Sequence, residues 1–198
     1  MIIGSAVLII AYLLGAIPFG YLMVKRAHGT DIRSVGSGNI GATNVYRKSR
    51  GSGIATLILD GAKGYVAVLA AAWLTDDIRW QAMAAVAAIL GHMFTVFLFF
   101  KGGKGVATAC GAYLALSPLA VATTVVIFIA VAALTRYISL ASIAAAASFP
   151  LSVYWHGDPT EVLAAAIIGA ALIVAKHHKN IQRLLAGTEN KFALGSRS

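Results

Sequence analysis

From Ile2 to Leu185 the chain is a series of apolar runs divided by short polar turns. An α-helix needs about 20 such residues to cross the hydrocarbon of a bilayer. Measured against that length, with turn signals splitting the longer runs, seven helices are predicted, and the fold class is an all-α, polytopic membrane bundle. Hydrophobic residues make up 59% of the chain and charged residues 12%, with a mean hydropathy of +0.81, which excludes an ordinary water-soluble globule. The length of 198 residues suits one domain, so 1–198 is read as a single integral membrane domain.

The first helix runs from Ile2 to Val24, with Pro18 tolerated inside the bundle. This stretch is too long for a removable signal peptide and carries Lys25-Arg26 at the wrong end for one. The second helix spans Gly53 to Leu74, with Asp60 and Lys63 three apart and able to pair. The third runs from Trp80 to Phe100 and closes on the aromatic anchor Phe97-Leu98-Phe99-Phe100. The run after Val106 exceeds one comfortable span and divides at Ser117-Pro118, where Pro can open a new helix. That leaves a fourth helix of about a dozen residues, too short to cross by itself. The fifth to seventh helices run from Leu119 to Leu134, Ile138 to Trp155 and Glu161 to Leu185.

Charge orients the bundle. With seven spans and the N-terminus outside, 15 of the 16 Lys and Arg residues fall on the inner side, Arg79 being the exception, while Asp76, Asp77, Asp158 and Glu161 lie outside. The net charge of +9 therefore reflects topology and contact with anionic headgroups, not a nucleic-acid partner. The C-terminus is then cytoplasmic, and the polar segments around Gly36–Arg47, Lys101–Gly105, Arg136 and Lys176–Arg183 share one face.

Gly36-Ser37-Gly38-Asn39-Ile40-Gly41-Ala42-Thr43-Asn44-Val45-Tyr46-Arg47 is the longest polar, glycine-rich interruption. Its glycines let backbone amides approach an anion, and a helix started here puts Asn39, Thr43 and Arg47 on one face. The Gly36-x-Gly38-x-x-Gly41 pattern fits a dinucleotide fingerprint only after a strand, and an apolar helix precedes it instead. Lys101-Gly102-Gly103-Lys104-Gly105-Val106-Ala107-Thr108 is a second anion site, with Lys104 and Thr108 four apart on one face. It is not a nucleoside-triphosphate loop, since Leu98 stands where the first glycine belongs and Gly105 follows Lys104.

Lys176-His177-His178-Lys179-Asn180-Ile181-Gln182-Arg183 continues the last helix, with His177, Asn180 and Arg183 recurring on one side. The paired histidines lack a second metal-type cluster, so neither zinc nor another cofactor is expected, and one of them can serve as acid, base or phosphate donor. Ser139 and Ser142 offer hydroxyls to a cavity or bond back to their own helix. Asp60 is either functional or a structural partner of Lys63. His28, His92 and His156 stand alone and are read as structural, and Cys110, the single cysteine, as a packed thiol. No Ser-His-Asp order or paired carboxylate suits a protein nucleophile. The available chemistry is cationic and amide donors, strongest where phosphate is ligand or leaving group.

Gly36 to Arg47, Leu59-Asp60-Gly61-Ala62-Lys63-Gly64, Lys101 to Thr108, Arg136-Tyr137-Ile138-Ser139-Leu140-Ala141-Ser142, and His177 to Glu189 with Asn180, Arg183, Leu184 and Gly187 together resemble the acyl-phosphate-dependent glycerol-3-phosphate acyltransferases of bacteria, the PlsY type. The resemblance runs from the first helix to about Lys191. The tail 192–198 ends in Gly195-Ser196-Arg197-Ser198, which lacks family character.

The resemblance implies a cofactor-free transfer of a fatty acyl group from acyl phosphate to the 1-hydroxyl of glycerol 3-phosphate, giving lysophosphatidic acid and phosphate at the inner membrane. It implies catalytic roles for Ser37, Lys104 and His177. Gly36, Gly38, Asn39, Thr43, Asn44 and Arg47 would bind substrate on one side, and Gly102, Gly103, Gly105 and Thr108 on another, with Ser142 and Asn180 placing glycerol phosphate. Two rivals remain from other chemistry. A transporter of a phosphorylated metabolite would share cationic sites at broken helices, but no inverted repeat is evident. An acyl-CoA-dependent enzyme would need His-x-x-x-x-Asp, which none of the five histidines provides.

Overall fold

A computed structural model describes residues 2–192. The tail from residue 193 onward lies outside the described residues. Among them are ten α-helices, two short 3-10 turns and no strand. The chain separates into two compact units, Met1–Ser117 and Pro118–Ser198, meeting at the Ser117-Pro118 step where the sequence divides its longest apolar run.

The first unit holds α1 (Ile2–Ala16), α2 (Phe19–His28), α3 (Ala42–Lys48), α4 (Arg50–Thr75), α5 (Ile78–Met93) and α6 (Val106–Leu116). Helix α4 is its axis and packs against α1, α2, α3, α5 and α6. Small residues permit this. A Cβ on Gly64 would strike the Thr108 carbonyl oxygen and one on Gly111 the Gly61 carbonyl oxygen, so α4 and α6 meet backbone to backbone. Val7, Ala11, Ala67, Ala71, Ala84 and Ala88 fill the contact of α1, α4 and α5.

The second unit holds α7 (Pro118–Thr135), α8 (Ile138–Trp155), α9 (Thr160–Lys176) and α10 (His178–Leu185). Helix α8 packs between α7 and α9, and α10 touches both α8 and α9.

Among the described residues, five helical stretches are long and apolar enough to cross a bilayer: Ile3–His28, Arg50–Thr75, Ile78–Leu98, Pro118–Thr135 and Ile138–Trp155. A sixth results if Thr160–Lys176 and His178–Leu185, bent by 57°, count as one span, and Val106–Leu116 is the short apolar helix that the sequence anticipates. Large apolar side chains such as Val126 (66% exposed) and Leu151 (67%) lie open on these helices, a surface suited to lipid and costly in water.

Two expected helices are broken. Pro18 ends α1 at Ala16 and starts α2 at Phe19, since proline supplies no amide to continue the ladder. The carbonyls exposed there find side chains: Thr95 Oγ1 donates to Ala16 at 2.5 Å and Lys63 Nζ to Ile17 at 2.7 Å. Lys63 thus lies buried along α4. The last helix breaks at His177, so Lys176 to Arg183 do not form one continuous helical face. The third expected helix stops at Met93 and is followed by a 3-10 turn, Val96–Leu98, with Phe99 and Phe100 both left-handed.

Candidate active site

In the first unit the glycine loop is built around Asn44. This residue is 3% exposed, with its Nδ2 donating to the carbonyls of Val35 and Asn39, both at 2.9 Å, and its Oδ1 accepting from the Ser37 amide at 3.0 Å. Gly36 and Gly38 adopt φ of +58° and +69°, and a Cβ on Gly36 would lie 2.5 Å from Asn44 Oδ1. Glycine is therefore required at Gly36 twice over, by backbone angle and by space. Val24, Ile32, Ile40, Val45 and Leu98 form the apolar floor beneath the loop.

Helix α3 begins only at Ala42, so the expected face of Asn39, Thr43 and Arg47 is corrected: Thr43 and Arg47 share a helix, while Asn39 precedes it and its Oδ1 accepts from the Gly41 amide at 2.7 Å. A local turn satisfies Asn39 better than a helical position would. Asn44, expected to bind substrate, has its amide engaged within the loop and holds Ser37 in place. Ser37 and Arg47 are exposed and Thr43 half-buried.

The second motif lies on the end of α5. The Gly102 amide donates to the Met93 carbonyl at 3.2 Å and the Gly103 amide to the His92 carbonyl at 3.0 Å. This corrects the expectation that these two amides cradle an anion, because both are engaged by backbone. Their glycine identity answers to packing: a Cβ on Gly102 would strike the His92 carbonyl oxygen and one on Gly103 the His92 ring. Gly105, at φ +82°, turns the chain into α6 and leaves Lys104 half-buried at its start. Thr108 is fully buried, and its hydroxyl has no hydrogen-bond partner among the described residues. Nor does His92 stand alone, since its Nδ1 lies 2.9 Å from Lys63 Nζ, which is in turn 2.7 Å from Asp60 Oδ1.

In the second unit the site residues gather on Glu189. Its Oε1 accepts from Ser139 Oγ and Asn180 Nδ2, both at 2.7 Å, and its Oε2 meets Arg183 Nε at 2.6 Å. Burial alone would raise this carboxyl, but the hydrogen bonds from Ser139, Asn180 and Arg183 prevail and hold it below its ordinary value of 4.5. The turn that delivers it is a helix stop: Thr188 donates to the Arg183 carbonyl and Gly187 to the Leu184 carbonyl, with Gly187 at φ +69°. Glu189 received no role from the sequence reading. The signal was there in Gly187, a helix-stopping glycine that returns an acid over the preceding turn.

His177 sits at the α9–α10 break, 2% exposed, with Nδ1 at 2.7 Å from the Ile173 carbonyl. A carbonyl only accepts, so Nδ1 carries a proton and donates it to Ile173. Asn180 is buried one turn later. The Ser142 hydroxyl donates to the Ile138 carbonyl at 2.8 Å, one of its two anticipated choices.

Comparison with known proteins agrees with this arrangement of motifs. The family model for glycerol-3-phosphate acyltransferase matches residues 5–187. A glycerol-3-phosphate acyltransferase of Trichlorobacter lovleyi is 52% identical over 183 residues, covering 92% of this chain and 94% of its own. One from Geobacter metallireducens is 54% identical over 193 residues, covering 97% and 99%. Among solved structures, PlsY, an integral membrane glycerol 3-phosphate acyltransferase, superposes in its glycerol 3-phosphate form with a TM-score of 0.91 at 42% identity, covering 96% of each chain. Its lysophosphatidic acid form gives 0.89 at 40%, covering 96% of this chain and 95% of that one. With motifs, fold and nearly the whole length in common, this integral membrane chain belongs to the glycerol-3-phosphate acyltransferase family, PlsY type.

Proposed function

We infer that the chain is an enzyme that moves a fatty acyl group from acyl phosphate to the 1-hydroxyl of sn-glycerol 3-phosphate, producing lysophosphatidic acid and inorganic phosphate in bacterial phospholipid synthesis. The observation that carries this is the whole-length match to a solved relative in both a glycerol 3-phosphate form and a lysophosphatidic acid form. The acyl phosphate donor is what the resemblance to the PlsY type implies, and the cationic motifs suit a phosphate leaving group.

In this reading the 1-oxygen of glycerol 3-phosphate attacks the acyl carbon, the bond from that carbon to the phosphate oxygen breaks, and phosphate leaves with the electron pair. The hydroxyl proton passes to a substrate phosphate oxygen. The leaving group is already good, so orientation and charge stabilisation suffice. Lys104 and Arg47 hold phosphate oxygens with the Ser37 hydroxyl, which the glycine loop carries. Gly36, Gly38, Asn39 and Asn44 shape that loop, and Gly102, Gly103 and Gly105 shape the Lys104 segment, with Thr43 and Thr108 beside them. Ser142, His177 and Asn180 are assigned to glycerol 3-phosphate.

The enzyme is placed in the bacterial inner membrane with its N-terminus outside and its site toward the cytoplasm, supported by the one-sided distribution of Lys and Arg. Protein purified in detergent and supplied with acyl phosphate and glycerol 3-phosphate is expected to release phosphate and lysophosphatidic acid in equal amounts. Uptake of a phosphorylated metabolite into sealed vesicles with no acylated product would overturn the reading in favour of a transporter.

A further inference from the structure

The reaction proposed above leaves one buried charged cluster of the first unit without a task. Asp60, Lys63 and His92 are 2%, 5% and 4% exposed. An ammonium has three N–H donors, and Lys63 Nζ has three acceptors around it: Asp60 Oδ1 at 2.7 Å, the Ile17 carbonyl at 2.7 Å and His92 Nδ1 at 2.9 Å. The lysine therefore holds the imidazole with Nδ1 accepting and the ring proton on Nε2. A buried ion pair is stabilising only when its remaining hydrogen-bonding capacity is met, and on the lysine's side the Ile17 carbonyl released by Pro18 and the His92 ring meet it.

The opposite edge of that ring bears on the Lys104 segment. A Cβ built on Gly103 would overlap His92 Nε2 and lie 2.9 Å from Cε1 and 3.0 Å from Cδ2. The carbonyls of His92 and Met93 accept the amides of Gly103 and Gly102. Ring and backbone of one residue thus seat Lys101–Gly105 from two directions, immediately before Lys104.

We propose that His92 is a positioning residue for Lys104, its ring clamped by Lys63 and Asp60 so that the Gly102–Gly103 segment, and the lysine after it, has one place to sit. This rests on Lys104 being the phosphate-binding cation. The cluster's cost in burying charge is then met by orienting the group on which transfer depends, where a shift of 1 Å costs on the order of 10²-fold in rate.

The test compares His92→Asn with His92→Gln and His92→Ala in the full-length enzyme in detergent. Asparagine keeps an acceptor for Lys63 where Nδ1 stands but puts nothing against Gly103; glutamine reaches toward Gly103 but gives Lys63 no acceptor at the Nδ1 position. Each removes one side of the clamp, so all three variants should lose on the order of 10²-fold in kcat/KM. A nitroxide on Lys101→Cys, in a Cys110→Ser background that leaves it the sole thiol, reports the segment directly and should become more mobile in both His92→Asn and His92→Gln. Should His92→Ala fail to fold, these two variants decide. Wild-type kcat/KM and wild-type label mobility in either of them overturns the proposal. Lys104→Ala separates the two layers: an inactive Lys104→Ala beside an unaffected His92→Gln sinks the positioning role alone. An active Lys104→Ala sinks the reading of Lys104, and with it the positioning role.

Discussion

Arg183 Nε and Glu189 Oε2 lie 2.6 Å apart although a helix terminus separates them, and the same carboxylate accepts from Ser139 and Asn180. Removing it would orphan three donors at once. Glu189→Ala should destabilise the folded protein by about 1–3 kcal/mol for each charged hydrogen bond left unmade, less where water replaces the lost partner. Glu189→Gln keeps an acceptor for Ser139 and Asn180 and loses only the ion pair, so it should fall between. Thermal unfolding in detergent orders the three proteins, and equal stability of Glu189→Ala and wild type would refute the hub.

The depressed Glu189 carboxyl also sets a pH dependence. Its folded value lies below the ordinary 4.5, so its contribution is complete above that value and disappears as pH falls through the folded one. Acid titration of stability should therefore show a component below pH 4.5 that Glu189→Gln lacks.

Gly187 stands at φ +69° with open space where a Cβ would be. The cost of Gly187→Ala is then purely conformational, about 1–2 kcal/mol, and Gly187→Asn should cost less. Unfolding measurements on the two variants check the order, and an unchanged Gly187→Ala would show that the turn does not need the left-handed backbone.

Asn44 donates to two carbonyls and accepts from Ser37. Asn44→Ala should cost about 1–3 kcal/mol for groups left unsatisfied and impair transfer through Ser37. Asn44→Asp should be worse still, because a carboxylate would face the carbonyls of Val35 and Asn39 with no proton to donate. Kinetics beside stability distinguish this from a direct substrate contact, which would raise KM without loosening the fold.

Lys104→Ala is expected to abolish turnover, whereas His177→Ala should weaken it, since the proton acceptor in the proposed reaction is a substrate phosphate. The acyl-transfer assay compares them, and equal, mild losses would discredit both assignments.

The sequence by itself determined which stretches are apolar enough to be helical and which polar stretches interrupt them. Both are local properties: twenty successive apolar residues suffice to choose the bilayer, and glycines beside cations mark a break. It also supplied the Asp60–Lys63 pair, because three residues is one helical turn. What only the tertiary structure decided is where donors and acceptors go. Lys63 reaches the carbonyl of Ile17, 46 residues away, and Ser139 reaches Glu189 across 50. The amides of Gly102 and Gly103 turn to α5 instead of outward, and the break at Pro18 is tolerated through Thr95 and Lys63. A buried polar group must find a partner somewhere, and which one it finds depends on how the helices pack, which no spacing along the chain contains.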